Sequence, residues 1–181
     1  MKKIFAFILG ILAMNSQAEN KIPEDVYLGL RSQVLNLTSE EFGVNKQNFP
    51  YEVWGLIMET GVKQGSYTLV TLADGTTSIY YSTGGGIIGA GAHESVQEVS
   101  KILLSGANHF HDAATVTTDY PLPEQGQTNF YFLGYDGVKK YTALESDLGN
   151  NKDRLSKLFH AAHMVIARVR ETQKTTMATK S

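Results

Sequence analysis

Apolar residues along the chain recur with the spacing of helices in three places. The first is a helix that begins near Pro23, because proline lacks the N–H that a first helical turn leaves unpaired. Two further helices are expected over residues 93–110 and 155–170. The expected buried faces are Val26, Leu30, Val34 and Leu37 in the first helix, Val96, Val99, Leu103 and Phe110 with Ile102 alongside in the second, and Leu155, Leu158, Phe159, Ala162, Ile166 and Val169 in the third.

Runs of β-branched and aromatic residues predict five strands between these helices. They cover residues 53–58, 67–73, 76–83, 130–135 and 138–144, and polar connectors are expected over 38–50, 113–127 and 146–153. Asp74-Gly75 and Asp136-Gly137 each lie between two runs, which is typical of a hairpin with a two-residue type I′ turn. The order α-β-β-β-α-β-β-α therefore predicts an α+β fold, in which helices cover a five-stranded and mainly antiparallel sheet.

The start of the chain has the anatomy of a secretory signal peptide. A two-lysine head precedes an apolar run over residues 4–14, and Ser16 and Ala18 provide the small residues before a cleavage site. The run is too short for a membrane-spanning helix, which needs about 20 residues. We therefore predict cleavage before Glu19 and a periplasmic or secreted bacterial protein without a membrane anchor. The expected organisation is a signal peptide over 1–18, one α+β domain over 19–170 and a flexible polar tail over 171–181.

Composition excludes several classes of function. The chain has a net charge of −2, which removal of the two leading lysines makes more negative. A mildly acidic surface argues against nucleic acid as a partner, because phosphates need a basic face. The chain has no cysteine, so disulfides, thiolate metal ligands and a cysteine nucleophile are excluded. We expect no cofactor and no metal.

Several sequence blocks resemble a group of uncharacterised bacterial proteins. They are VWGLIMETG at residues 53–61, LADGTTS at 72–78, STGGGIIG at 82–89 with His93-Glu94 following, and LFHAAH at 158–163. This likeness implies no particular activity. By topology alone, the element order resembles the profilin-like layout shared by roadblock-type dynein light chains and longin domains. That layout implies a five-stranded antiparallel sheet covered by helices, and it carries little information about function.

Five glycines form the most unusual local feature, a loop between the third strand and the second helix. They are Gly84, Gly85, Gly86, Gly89 and Gly91, with His93 opening the helix. Such a loop can direct backbone N–H groups at an anion near a helix N-terminus. The spacing matches a dinucleotide fingerprint, but no parallel βαβ unit surrounds it. The alternative is a tight crossover, in which glycines take positive φ or allow close packing.

A nucleophile with a base is the second hypothesis that the sequence supports. Ser82 or Thr83 precedes the glycines and His93 follows them, so a small hydrolase could use this pair. Glu59 on the first strand would serve as a general base if it were buried. No Gly-x-Ser-x-Gly motif supports the hydrolase hypothesis.

Histidines give a weaker signal for a metal site. His160 and His163 are three residues apart on the last helix, so both could reach one metal, and His109 and His111 close the middle helix. The preferred interpretation of His163 is a hydrogen-bonded residue at the boundary of the core. Near a helix C-terminus, His109 and His111 gain from the helix dipole when they are protonated, which needs no ligand.

Tyrosines and phenylalanines crowd the predicted strands. If one sheet face is left uncovered, these rings form a surface for a protein partner or a second copy of the chain. The alternative is that they fill the core.

Binding is the function that these patterns favour. We expect an exported, non-enzymatic binding module. Its expected partner is another protein or a second copy of the chain, bound as a homodimer through a sheet edge or a helix face. The alternatives are a small-ligand or anion-binding protein that uses the glycine loop, and the hydrolase described above.

Overall fold

An antiparallel sheet with helices on both faces forms the centre of the chain. The computed structural model describes residues 24–178, so the predicted signal peptide and its cleavage site lie outside the described residues. The helices are α1 (Glu24–Leu35), α2 (Ser39–Phe42), α3 (Glu94–Ala107), α4 (Glu145–Gly149) and α5 (Ser156–Ala178). The strands are β1 (Val53–Val62), β2 (Gly65–Leu72), β3 (Thr77–Tyr81), β4 (Gly86–Ile87), β5 (Thr115–Val116), β6 (Gln127–Gly134) and β7 (Gly137–Leu144).

The α+β class is confirmed, but the expected five-stranded sheet is wrong. The sheet has seven strands in the order β4-β3-β2-β1-β6-β7-β5. The two additional strands, β4 inside the glycine loop and β5 inside the predicted connector over 113–127, form its edges and are two residues long. A two-residue strand has no alternation of apolar and polar positions, so the sequence pattern contains no signal for it.

Helices α3 and α5 cover one face of the sheet, and α1 covers the other. The α3–α5 side buries Leu56, Met58, Leu69, Ile79, Phe130 and Phe132. The α1 side buries Trp54, Ile57, Val70, Tyr80, Tyr131 and Leu133. Because neighbouring residues of a strand point to opposite faces, the central strands β1 and β6 contribute to both cores. Ile102, expected alongside the core, is instead 65% exposed.

Helix α1 turns a different face to the sheet than its apolar spacing predicts. Tyr27 and Arg31, two polar residues one turn apart, are buried together with Leu30. Val26 and Val34 are only half-buried. The buried side of α1 therefore places a cation and a phenol against the sheet, and this is the first sign of a polar network.

Helix α5 continues beyond the predicted end at residue 170. It extends to Ala178, across most of the segment that its polar composition predicted to be a tail. A four-residue helix, α2, also interrupts the predicted connector over 38–50. Its N-cap Thr38 forms a capping box with Glu41, which satisfies backbone donors of the first turn.

Both predicted hairpins are present, but neither contains a type I′ turn. That turn needs positive φ at both central residues. In the described residues, Asn151 is the only non-glycine residue with positive φ, so Asp74 and Asp136 do not have it. Gly75 has φ +89°, its N–H donates to Leu72 O, and Leu72 N–H donates to Thr76 O. This geometry is a three-residue loop in which glycine takes the left-handed position.

We expect Gly75→Ala to lower the free energy of unfolding by about 1 kcal/mol or more, because Ala at positive φ is strained. The added Cβ would lie 3.7 Å from Gln97 Cγ, an ordinary contact, so backbone strain alone sets the cost. Gly29→Ala is the control: this glycine lies inside α1 with no atom near its missing Cβ. It should raise stability by about 0.5 to 1 kcal/mol. Urea unfolding measures both, and equal effects would contradict the assigned turn.

Candidate functional site

The glycine loop has a tightly folded backbone. Gly84, Gly85 and Gly89 take positive φ, whereas Gly86 belongs to β4 and pairs with Tyr80. Backbone donors of the loop are engaged internally: Gly84 N–H donates to Tyr81 O, and Gly89 N–H donates to Ser78 Oγ at 3.3 Å. These bonds leave fewer N–H groups for an anion than the sequence pattern suggests.

Gly91 lies against the β2–β3 turn at the far end of the loop. A Cβ at this position would lie 1.9 Å from Gly75 O and 3.1 Å from Thr77 N. Gln97 Nε2 donates to Gly91 O at 2.8 Å and holds this contact from helix α3. Close packing of backbone on backbone thus accounts for Gly91 without a ligand. Ligand binding by Gly84, Gly85, Gly86, Gly89, Gly91 and His93 stays a prediction.

The serine and histidine of the hydrolase hypothesis are not brought together. Ser82 directly follows Tyr81, the last residue of β3. Gly91, which is two residues before His93, lies instead beside Thr77, the first residue of β3. The five residues of β3, at about 3.3 Å each, separate the two ends. Ser82 Oγ instead accepts the Ser66 N–H at 2.7 Å. Within residues 24–178, no hydrogen bond joins His93 to Ser82 or to the exposed Thr83.

Glu59 is fully buried, as the general-base hypothesis requires, but its oxygens are engaged. Arg31 Nε donates to Glu59 Oε1 at 2.6 Å, and Arg31 Nη2 donates to Oε2 at 2.7 Å. Thr68 Oγ1 also donates to Oε1, at 3.1 Å. Three donors already occupy this carboxylate, which leaves little room on its oxygens for a substrate. The ion pair connects α1 to the centre of β1.

A polar network surrounds this ion pair on the α1 side of the sheet. The carbonyl oxygen of Pro121 accepts from Tyr131 Oη at 2.9 Å, Asn129 Nδ2 at 3.2 Å and Arg31 Nη2 at 3.4 Å. Tyr27 Oη contacts the hydroxyl of Thr68 at 3.0 Å. Nearly every polar group here has a partner within the protein, as buried polar groups require.

Electrostatics of the network favour the charged pair and a neutral phenol. Burial alone would lower the pKa of Arg31, but the hydrogen bond and the charge of Glu59 outweigh it and raise that pKa. Burial, reinforced by the Glu59 charge, raises the pKa of Tyr131. These shifts favour a charged Arg31 and a neutral Tyr131, so the network resembles a structural anchor more than an acid–base site.

The histidines do not converge on a metal site. His160 contacts Asn151 Oδ1 at 3.1 Å, whereas His163 Nε2 contacts the hydroxyl of Tyr67 at 3.2 Å. His109 Nδ1 contacts Ser105 O at 3.2 Å, and His111 Nδ1 contacts Asn108 O at 3.0 Å. No group of three or more potential metal ligands occurs within residues 24–178.

Chemically capable side chains meet at the surface where α5 crosses β2 and β3. Tyr67 and Tyr81 are register partners on these strands, so their side chains leave the same face of the sheet. Tyr67 Oη lies 3.2 Å from His163 Nε2, and Arg170 Nη2 donates to Tyr81 Oη at 3.4 Å. We name these four residues the His163 cluster. All are partly or fully accessible to solvent.

Helical spacing on α5 explains how the cluster is positioned. Phe159, His163, Ile166 and Arg170 follow one another at intervals of three and four residues, so they share one face. Phe159 and Ile166 are buried and fix the rotation of the helix. The His163 ring lies 4.3 Å from the Phe159 ring, between centroids. The prediction of His163 as a hydrogen-bonded boundary residue is confirmed.

Burial shifts both partners of the central hydrogen bond toward their neutral forms. It lowers the pKa of His163, with the positive charges of His160 and Arg170 adding to the effect. It also raises the pKa of Tyr67, and the Glu145 carboxylate contributes in the same direction. A protonated phenol and a neutral imidazole share one hydrogen bond between Tyr67 Oη and His163 Nε2, and the tautomer of the imidazole sets which of the two donates.

Sequence reasoning missed Tyr67, Tyr81 and Arg170 as site residues. The predicted two-residue turn at Asp74-Gly75 would pair position 67 with position 82, and only the three-residue loop of the structure pairs Tyr67 with Tyr81. The contact between Tyr81 and Arg170 joins residues 89 positions apart, so no sequence spacing predicts it. The hypothesis of an uncovered tyrosine-rich face is not supported, since Tyr80 is 2% exposed and Tyr131 is fully buried.

Comparison with protein-family models, curated proteins and solved structures finds no match for this chain. The resemblance to a group of uncharacterised bacterial proteins, and the profilin-like likeness, stay predictions. In the part of the chain that the structure describes, no helix is long and apolar enough to cross a membrane.

Proposed function

We propose that the mature chain is an exported, non-enzymatic binding protein that holds its ligand at the His163 cluster. One observation carries this proposal: the cluster gathers a guanidinium, two phenols and an imidazole at an accessible place. Two other candidate groups, Glu59 and Ser82, already have internal partners. Polar groups that converge on a surface supported by rigid elements are typical of recognition sites.

Support for binding over catalysis comes from the way the cluster is built. Its neutral imidazole donates or accepts hydrogen bonds, but no described side chain is placed as a nucleophile within hydrogen-bond distance of it. Tyr67, which forms the hydrogen bond with His163 Nε2, is a phenol whose pKa burial raises, and this disfavours the phenolate. The arrangement supplies contacts and orientation rather than an activated group.

Native mass spectrometry of gently purified periplasmic protein tests the proposal. We expect the chain mass to begin at Glu19, accompanied by a retained ligand or partner. His163→Gln should lose the bound species, because it removes the imidazole from the contact with Tyr67. His160→Gln is the matched control on the same helix and should retain it. Protein that is never accompanied by a bound species, or a species unaffected by His163→Gln, would contradict the proposed site.

A further inference from the structure

We infer that the group recognised by the His163 cluster is an oxyanion, a carboxylate or a phosphate, held by Arg170 and Tyr81. This inference rests on the proposed function and names the chemical class of its ligand. It places the anion on the α5 side of the sheet and not at the glycine loop.

Arg170 provides the positive charge. Its guanidinium is exposed and, among the described residues, donates one hydrogen bond, to Tyr81 Oη at 3.4 Å. Within residues 24–178 it forms no ion pair, whereas its neighbour Arg168 pairs with Glu171 at 3.0 Å. A guanidinium has five N–H donors in a planar fork that matches an oxyanion, so most of the donors of Arg170 remain for a ligand.

Tyr81 provides a second donor beside the guanidinium. Its oxygen accepts from Arg170, so its own O–H proton is not used in that bond. Tyr67 is different, because its hydroxyl is already paired with His163 Nε2 at 3.2 Å. A ligand oxygen that reaches Arg170 therefore also reaches the Tyr81 hydroxyl, and the buried side chains of α5 hold the pair in place.

Charges around the site set its strength. The neutral His163 adds no positive charge, and the Glu145 carboxylate, which raises the pKa of Tyr67, opposes an incoming anion. His160, three residues before His163 on α5, contributes to the lowered pKa of His163. One exposed guanidinium with an opposing carboxylate binds a simple ion weakly, so millimolar probes are appropriate.

Titration of the full mature chain with inorganic phosphate and, separately, acetate tests the inference. Backbone amide resonances in NMR spectra report binding, at constant ionic strength. We expect saturable shifts at Tyr81 and around Arg170 with at least one anion. Arg170→Gln should weaken the affinity by about tenfold or more. Glu145→Gln should strengthen it by about threefold, because it removes the opposing charge. Phosphate alone or acetate alone would identify the oxyanion.

Arg168→Gln is the matched control, since it removes the same charge from the same helix outside the cluster. The inference is overturned if Arg168→Gln and Arg170→Gln weaken binding equally, because the effect is then one of net charge. It is also overturned if neither anion gives saturable shifts. A neutral species that native mass spectrometry detects on wild-type protein, and that His163→Gln loses, would leave the proposed function standing and reject the oxyanion class.

Discussion

Glu59→Gln is expected to lower the free energy of unfolding by about 3 to 5 kcal/mol, because it leaves Arg31 charged and buried without its partner. Glu59 is fully buried and accepts two hydrogen bonds from Arg31, at 2.6 and 2.7 Å. Such a loss is a large part of the 5 to 15 kcal/mol typical of a domain. Equilibrium unfolding in urea measures it.

Two further variants separate the ion pair from a general effect of substitution. Glu52→Gln breaks the exposed pair with Lys46 and should change stability little, because water screens that contact. The double variant Arg31→Met with Glu59→Leu should recover much of the loss, since a buried pair can be replaced by apolar residues. A Glu59→Gln loss no larger than that of Glu52→Gln would show that the pair does not anchor α1.

This pair also shows why the sequence pattern misplaced the buried face of α1. Apolar spacing selected Val26, Val34 and Leu37, because periodicity treats arginine as a surface residue. Arg31 faces inward only because Glu59, on a different element, lies opposite it. This ion pair depends on the tertiary structure, so no local pattern in either segment predicts it.

The strand pattern was informative where strands are long and uninformative at the edges. All five predicted strands are present, and both Asp-Gly dipeptides lie at hairpins. The turn type was wrong, because composition locates a turn more reliably than it fixes the φ of its aspartate. Strands β4 and β5, of two residues each, were missed because pairing with a neighbour, not composition, makes them strands.

The candidate site was only partly predictable for a similar reason. His163 was identified as a boundary residue from its place beside Phe159 on the helix. Its partner Tyr67 lies 96 positions away in the sequence. The glycine loop was a candidate site because its composition is unusual over a short segment. The structure gives one of its glycines, Gly91, a packing role.

Gly91→Ala is therefore expected to lower the free energy of unfolding by about 2 kcal/mol or more. The added Cβ would lie 1.9 Å from Gly75 O, a backbone atom in a turn that Thr77 Oγ1 also contacts at 3.2 Å. Neither backbone can move alone, so the loop and the hairpin must separate, and overpacking of this kind typically costs about 1 to 3 kcal/mol. Gly106→Ala is the matched control inside α3, where the new Cβ would lie 3.8 Å from Leu158 Cδ1. It should be neutral or stabilising, because alanine favours the helix.

Thermal melting of wild type and both variants, with and without millimolar phosphate, decides between a structural and a ligand-binding glycine loop. If Gly91 only allows close packing, Gly91→Ala lowers the melting temperature by the same amount in both buffers. Phosphate that binds at the oxyanion site of Arg170 and Tyr81 then stabilises wild type and Gly91→Ala equally, by mass action. The opposite result is that Gly91→Ala abolishes the stabilisation by phosphate and Arg170→Gln leaves it intact. That result would place the anion-binding site at the glycine loop.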